Sequence, residues 1–144
     1  MSNFIIKKPI EHLPSFTEYQ LDSSEMVAKL LPLNLENYYL WDSKFWYVSL
    51  EDWGKILKDV IFGMPKYTVD KFDCENFAML TSARVSERYQ LNTCGIAIGS
   101  SPWGEHGYNI LVTDHGLIYF EPQTGDFIEV AEGSYKARLV IFGS

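Results

Sequence analysis

The stretch "HGYNILVTDHGLIYFEP", residues 106–122, contains two apolar runs on either side of a short turn. Residues 106–113 and 117–122 are rich in β-branched and aromatic side chains, which are typical of strands. TDHG (113–116) is a turn sequence. The stretch therefore predicts an antiparallel β-hairpin in which Thr113 lies opposite Gly116.

This register decides which polar side chains share a face of the sheet. His106 then lies opposite Gln123, and Glu121 is its diagonal neighbour. Diagonal Cβ atoms are about 7–8 Å apart, within reach of long side chains, so Glu121 is expected to accept a hydrogen bond from His106. Asn109 is expected to point to the other face. A three-residue loop or a β-bulge would reverse these assignments.

Helical patterns come before this hairpin. The first covers residues 21–31, with Ser23 or Ser24 as the cap, and the second covers 49–63, with Ser49 as the cap. A third begins at Asp73 and runs to about residue 90. The second and third have apolar residues spaced three or four apart, as a helix with one buried face requires.

Strand patterns dominate the rest of the chain. The aromatic segment 37–49 is predicted to be a strand or irregular chain lining a cleft, and further strands are predicted at 94–100, 127–130 and 137–142. Helices followed by a mostly antiparallel sheet predict an α+β fold. The 144 residues are expected to form a single domain, with residues 1–20 as an extended N-terminal arm.

"KFDCENFAML" (71–80) places Cys74 at the predicted start of the third helix. Backbone N–H groups and the helix dipole favour an anion there, whereas the carboxylates of Asp73 and Glu75 oppose a thiolate. His106 is the histidine that a regular element could aim at this helix. An imidazolium stabilises a thiolate and can act as its base. The alternative is a structural thiol, the more common role of a lone cysteine.

Composition and charge argue against several classes of partner and metal site. The net charge of −7 argues against nucleic acid or an anionic membrane as a partner. The sequence contains no membrane-spanning run and no recognisable signal peptide, so a cytoplasmic protein is expected. Cys94 is expected to be a core residue. Cys74 and Cys94 lack the spacing of a zinc site. The oligomeric state is left open.

The motifs DCENFA (73–78), HGYNI (106–110) and YFEPQTG (119–125) resemble the papain-like and transglutaminase-like cysteine hydrolases. The resemblance is strongest to the C-terminal cysteine-protease domains of agglutinins of the fairy-ring mushroom type. It covers roughly residues 65–130 and implies a papain-like arrangement, in which the cysteine-bearing helix packs on a C-terminal antiparallel sheet.

The resemblance also implies an activity. Cys74 would be the nucleophile, His106 the base and Glu121 the orienting acid of a cysteine peptidase or amide hydrolase. This enzyme would act through an acyl-enzyme intermediate on a peptide or protein substrate. Trp103 and Gly104 are expected to form one wall of the substrate cleft. Trp46 and Tyr47 are expected to form the other.

One departure from the family pattern leaves alternatives open. Papain-like enzymes carry a glutamine about six residues before the cysteine, where this chain has Tyr67 and Thr68. The chain could therefore be a non-catalytic binding module on the same scaffold. Acyl transfer to an amine, as in transglutaminases, is a third possibility.

No cofactor is expected to be required, although the agglutinin resemblance implies that Ca²⁺ could bind. Asp70, Asp73 and Glu75 are the candidate oxygen ligands. Capping and surface roles are the favoured interpretation of these three residues.

Overall fold

The computed structural model describes residues 15–143. Within them the chain forms three α-helices, α1 (Ser23–Leu30), α2 (Leu50–Val60) and α3 (Cys74–Tyr89). Its strands are β1 (Tyr19–Asp22), β2 (Asn37–Leu40), β3 (Lys44–Tyr47), β4 (Cys94–Ser101), β5 (Gly104–Thr113), β6 (Gly116–Glu121), β7 (Asp126–Glu129) and β8 (Lys136–Phe142). Short 3₁₀ turns occupy Leu31–Leu33 and Val130–Glu132.

Six of these strands form one mixed sheet in the order β2-β8-β4-β5-β6-β7. All neighbouring strands are antiparallel except β2 and β8, which run parallel at one edge. β1 and β3 form a separate antiparallel ribbon. The α+β prediction is confirmed. The sheet differs from the expected one because β2, from the N-terminal half of the chain, completes its edge.

Both faces of the large sheet are buried. α2 and α3 cover one face, where the core includes Trp53, Ile56, Leu57, Val60, Val85, Cys94, Leu111 and Phe120. α1 and the β1–β3 ribbon cover the other, where the core includes Met26, Leu30, Phe45, Tyr108, Ile110, Val112, Tyr119, Val140 and Phe142. Burial of each large apolar side chain stabilises the fold by about 1.5–3 kcal/mol.

Side chains cap the first turns of α1 and α2, and the capping residue of α1 differs from the predicted one. Asp22, rather than Ser23 or Ser24, caps α1: its Oδ1 accepts from the Glu25 N–H at 2.8 Å, while Glu25 Oε1 accepts from the Asp22 N–H at 3.2 Å. This reciprocal pair satisfies two otherwise unpaired N–H groups, which a single serine would not do. Ser49 caps α2 as predicted, accepting from the Asp52 N–H at 3.1 Å.

The hairpin of β5 and β6 has the predicted register. Thr113 pairs with Gly116, and Asn109 pairs with Phe120. The Thr113 hydroxyl fixes the turn by donating to the Gly116 carbonyl at 2.8 Å and accepting from the His115 N–H at 2.9 Å. Gly116 has φ +90°, a left-handed conformation that favours glycine.

The N-terminal region differs from the expected arm. Residues 1–14 lie outside the described part of the chain, and Tyr19–Asp22 form β1 rather than an unpaired segment. The aromatic segment 37–49 supplies the two strands β2 and β3. None of the helices found between residues 15 and 143 is long and apolar enough to cross a membrane.

Candidate functional site

The start of α3 positions Cys74. Asn76 Oδ1 accepts a hydrogen bond from the Asp73 N–H at 3.1 Å, which ends the preceding loop and begins the helix. The helix start rests against β5 at Gly107, where a Cβ would lie only 3.0 Å from Glu75 Cα. The Gly107 N–H donates to Cys74 Sγ at 3.4 Å. A glycine after His106 therefore allows the thiol to reach the strand.

The Cys74 side chain is a protonated thiol in this arrangement. It is partly buried, and it donates a hydrogen bond to Glu75 Oε2 at 3.2 Å. Burial raises the pKa of the Cys74 thiol, and the negative charge and hydrogen bond of Glu75 raise it further, against the opposing effect of the Gly107 N–H. Among residues 15–143, no hydrogen bond joins Sγ to the His106 ring.

His106 and Glu121 form a buried hydrogen-bonded pair. Their exposed fractions are 8% and 1%, and His106 Nε2 lies 2.6 Å from Glu121 Oε1. Glu121 also accepts from the Tyr135 hydroxyl at 3.0 Å and from the Gln123 N–H at 3.2 Å. A buried carboxylate requires such donors because burial removes its hydration. The hydrogen bond expected from the strand register is present.

Cys74 and His106 line one cleft of about 350 Å³, together with Tyr67, Trp103, Glu105, Gln123 and Thr124. Trp103 is 66% exposed, and its ring meets that of His106 edge to face, with centroids 5.4 Å apart. Gly104, with φ +97°, begins β5 directly after the turn that carries Trp103; of the predicted wall, Trp103 lines the cleft and Gly104 does not. The cleft thus combines a large exposed indole with several polar groups.

Asp73 and Glu75 form an acidic pair beside the thiol. A hydrogen bond with Glu75 raises the pKa of Asp73. The pKa of Glu75 is lowered, first by its own backbone N–H and then by the Cys74 thiol. The Asp70 N–H donates to Asp73 Oδ2 at 3.2 Å. Across residues 15–143, no three His, Cys, Asp or Glu side chains are grouped to hold a metal ion, and this includes the three calcium candidates.

Trp46 and Tyr47 do not reach the cleft, which corrects the predicted second wall. The Trp46 N–H donates to Asn92 Oδ1 at 2.8 Å, and Asn92 follows the C-terminal end of α3. Because a helix rises 1.5 Å per residue, α3 places that end about 24 Å from Cys74. Tyr47 instead pairs with Tyr19 across the β1–β3 ribbon, their ring centroids 5.5 Å apart.

Tyr67, which lines the cleft, and Tyr135, which contacts Glu121 beside it, have no clear signal in the sequence. Tyr67 belongs to the loop before α3 and is held there by its ring contact with Phe77, at 6.4 Å between centroids. Tyr135 comes from the segment before β8, and strands β4 and β5 separate β8 from β6 in the sheet. Gln123 had a signal, because the hairpin register places it opposite His106.

Cys94 is a core residue and Asn109 points to the sheet face opposite His106, as the sequence predicts. Cys94 is buried in the core, and burial raises the pKa of its thiol. Asn109 is fully buried and donates to the carbonyls of Ala78 and Gly95, at 3.0 Å each. Its amide therefore ties β5 to α3 and β4, on the face of the sheet opposite to His106.

Comparison with solved structures finds chains of similar fold, among them the following two. A complex of PSL1a with E64 superposes with a TM-score of 0.73 and 25% identity, over 85% of this chain and 51% of that one. About half of that chain therefore has the same fold as this one. Polyporus squamosus lectin bound to the human-type influenza-binding epitope Neu5Acα2-6Galβ1-4GlcNAc superposes with a TM-score of 0.70 and 25% identity, over 85% of this chain and 49% of that one. The chain spans about half the length of these structures. No protein-family model and no curated protein matches the sequence.

These comparisons correct three expectations. The identification as a papain-like or transglutaminase-like cysteine hydrolase is wrong, because the related structures are lectin chains. The assignment as a hydrolase and thiol protease is corrected for the same reason. The predicted peptide or protein partner is also wrong, since one of the related lectins carries a bound glycan.

Proposed function

We propose that this chain is a ligand-binding module whose binding site is the cleft beside Trp103. The observation that carries the proposal is the 66% exposed indole of Trp103 beside the polar side chains of Glu105, Gln123 and Thr124. Ligand sites characteristically combine aromatic walls with a few fixed polar groups. An indole face stacks on the C–H face of a sugar ring, while polar groups bind its hydroxyls.

The proposed ligand class is a neutral saccharide. The glycan bound to one of the related lectins supports a saccharide. The charges of this site disfavour the sialylated form of the glycan, because Glu75 contacts Cys74 beside the cleft and the whole chain carries a net charge of −7. Arg138 is already paired with Glu105. A saccharide without a carboxylate is therefore the better match.

The state of the thiol supports binding without covalent chemistry. Burial raises the pKa of Cys74, and its thiol donates to Glu75, so the protonated thiol is favoured over the nucleophilic thiolate. His106 is held by Glu121. Each of these groups is thus occupied within the protein and forms part of a fixed binding surface.

Calorimetric titration with Galβ1-4GlcNAc, with and without the terminal Neu5Ac, tests the proposal. The neutral disaccharide should bind more tightly than the sialylated trisaccharide. Trp103→Ala should weaken binding at least about tenfold, as loss of an aromatic anchor does. Trp41→Ala is the matched control, because Trp41 is 61% exposed in the segment after β2 and does not line the cleft. Equal loss in both variants, or no binding by wild type, would refute the proposal.

A second candidate function is acyl transfer from a carbonyl donor to an amine, which the 2.6 Å bond between His106 and Glu121 favours. In this reaction, Cys74 passes its proton to His106 and Sγ attacks the carbonyl carbon. The bond to the leaving amine breaks, and that amine takes the proton from His106. An acceptor amine then attacks the thioester and gives a proton to His106; the C–S bond breaks, and His106 returns that proton to Sγ, which restores the thiol. Glu121 would orient the imidazole throughout.

Thiol labelling tests this second candidate. Iodoacetamide should modify Cys74 much faster than the buried Cys94, and His106→Ala should slow the labelling of Cys74 while Cys94 stays unreactive. E64, present in one of the related structures, is the first ligand to incubate with the chain. Mass spectrometry should show one added equivalent on wild type and none on Cys74→Ser. Equal, slow labelling of both cysteines would rule out this chemistry.

A further inference from the structure

We infer that Tyr135 is a positioning residue for the pair formed by His106 and Glu121. The inference has two tests. The kinetic test, the rate of Cys74 alkylation, rests on the second candidate function, whereas the NMR test of how the His106 ring is held does not depend on any reaction. The inference concerns a residue that lies 14 positions after Glu121 in the sequence and reaches the carboxylate from a different part of the fold.

The first argument is the sharing of one oxygen atom. His106 Nε2 lies 2.6 Å from Glu121 Oε1, and the Tyr135 hydroxyl donates to the same atom at 3.0 Å. The other oxygen, Oε2, accepts from the Gln123 N–H at 3.2 Å. Three contacts from three separate segments therefore fix the orientation of a carboxylate that is 1% exposed.

The second argument is that Tyr135 is itself held firmly. It is 6% exposed, and its ring meets that of Tyr108 edge to face, with centroids 4.9 Å apart and planes at 86°. It also meets the Trp103 ring at 6.4 Å and 84°. Burial, followed by the charge of Glu121, raises the pKa of Tyr135, so its hydroxyl keeps the proton that it donates.

These contacts give Tyr135 two separable roles. Its hydroxyl fixes the carboxylate that orients the His106 ring, because a carboxylate with all its donors in place has one preferred rotamer. Its ring supports Trp103, the exposed wall of the cleft. Removing the hydroxyl alone should therefore alter the histidine and leave ligand binding intact. Removing the ring should alter both.

The test compares Tyr135→Phe with wild type by NMR of the imidazole N–H protons. The Nε2–H signal of His106 should move downfield. Without the Tyr135 hydroxyl, the imidazole is the only donor to Glu121 Oε1, so its hydrogen bond to that oxygen becomes stronger. Alkylation of Cys74 should slow by roughly tenfold, the scale of one lost hydrogen bond, because Glu121, which orients the His106 ring, is then held less firmly. Saccharide affinity should stay as in wild type. Tyr135→Leu should lose affinity as well.

Tyr119→Phe is the matched control. Tyr119 is a buried tyrosine of the same aromatic group, and its hydroxyl accepts from the Ala137 N–H at 3.2 Å rather than contacting Glu121. This variant should lose stability without moving the His106 signal. An unmoved signal in Tyr135→Phe, or an equal movement in both variants, would overturn the inference. A wild type whose Cys74 does not react would end the acyl-transfer proposal, and the NMR signal would still decide the role of Tyr135.

Discussion

Burial first, and Glu75 in addition, favour the protonated form of the Cys74 thiol. Sequence position alone suggested that a carboxylate beside the thiol would act by repulsion, but its Oε2 accepts the thiol hydrogen at 3.2 Å. Asp73 is occupied in turn by its hydrogen bond with Glu75. The acidic residues on either side of the cysteine are therefore a connected group that keeps the thiol protonated, rather than two isolated surface charges.

Replacing this acceptor should make the thiol more acidic. Glu75→Gln removes a negative charge and a charged hydrogen-bond acceptor, both of which raise the pKa of Cys74. The pKa should therefore fall, and alkylation of Cys74 at neutral pH should become several-fold faster, because the thiolate is the reactive form. The rate of iodoacetamide labelling as a function of pH measures this shift.

The control for that experiment lies on the same helix. Glu87→Gln changes an exposed carboxylate in the last turns of α3, far from the thiol, and should leave the pH profile unchanged. A profile of Glu75→Gln that stays in place or moves to higher pH would contradict the assignment of Glu75.

At the scale of elements, the contact of α3 with β5 determines the cleft. Gly107 lies against the backbone of Glu75, and this close approach brings the first turn of the helix to the strand that carries His106. The hairpin of β5 and β6 then places Glu121 beside the histidine. Each step depends on the relative placement of two elements, so small displacements of α3 change the distance between the thiol and the strand.

Gly107→Ala should displace the start of α3. The new Cβ would lie 3.0 Å from Glu75 Cα and 3.2 Å from its N, both backbone atoms that move only with the helix. Such overpacking costs about 1–3 kcal/mol of unfolding free energy. Urea unfolding should show this loss, and saccharide titration should show weaker binding. Wild-type stability together with wild-type affinity would contradict the proposed contact.

Gly54→Ala should have the opposite effect on stability. Gly54 lies within α2, and a Cβ there would meet no atom within 4 Å. Alanine lowers the conformational entropy of the unfolded chain and has the higher helix propensity, so the unfolding free energy should rise by about 0.5–1 kcal/mol. The same urea titration measures the gain, and ligand affinity should be unchanged. A loss of stability would show that α2 requires glycine at this position.

Elements with local signals were predictable from the sequence, whereas others depended on long-range packing. The TDHG turn set the β5–β6 register, and thereby the placement of Glu121 beside His106. Ser49 and Asp73 marked the starts of α2 and α3. By contrast, Trp46 lies in an aromatic segment of the kind that lines clefts, but the hydrogen bond from its backbone N–H to Asn92 holds it near the C-terminal end of α3. No local pattern encodes that bond.

At the scale of the whole molecule, the large sheet separates two apolar layers that share its strands. Ile110 belongs to one layer and Leu111, its neighbour on β5, to the other. Both are fully buried. Since adjacent strand residues point to opposite faces, each layer depends on the same backbone for its shape. We therefore propose that the described chain unfolds as a single cooperative domain.

Truncating either layer should destabilise the whole molecule. Ile110→Ala and Leu111→Ala should each lower the unfolding free energy by about 2–5 kcal/mol, the usual cost of a cavity at a buried aliphatic residue. Circular dichroism and tryptophan fluorescence should give coincident transitions in both variants. Leu31→Ala, at a residue that is 66% exposed, is the control and should cost little. Two separate transitions would contradict a single domain.

The parallel pairing of β2 with β8 has a consequence for biosynthesis. Asn37 pairs with Leu139, so this edge joins segments roughly one hundred residues apart, and contacts of such long range form late in folding. At about 5–20 residues per second, β8 leaves the ribosome some 5–20 s after β2. During that interval the nascent chain presents the unpaired edge of β2, with Tyr38 and Tyr39, to other molecules. Chaperone demand during translation should therefore be greatest before β8 emerges.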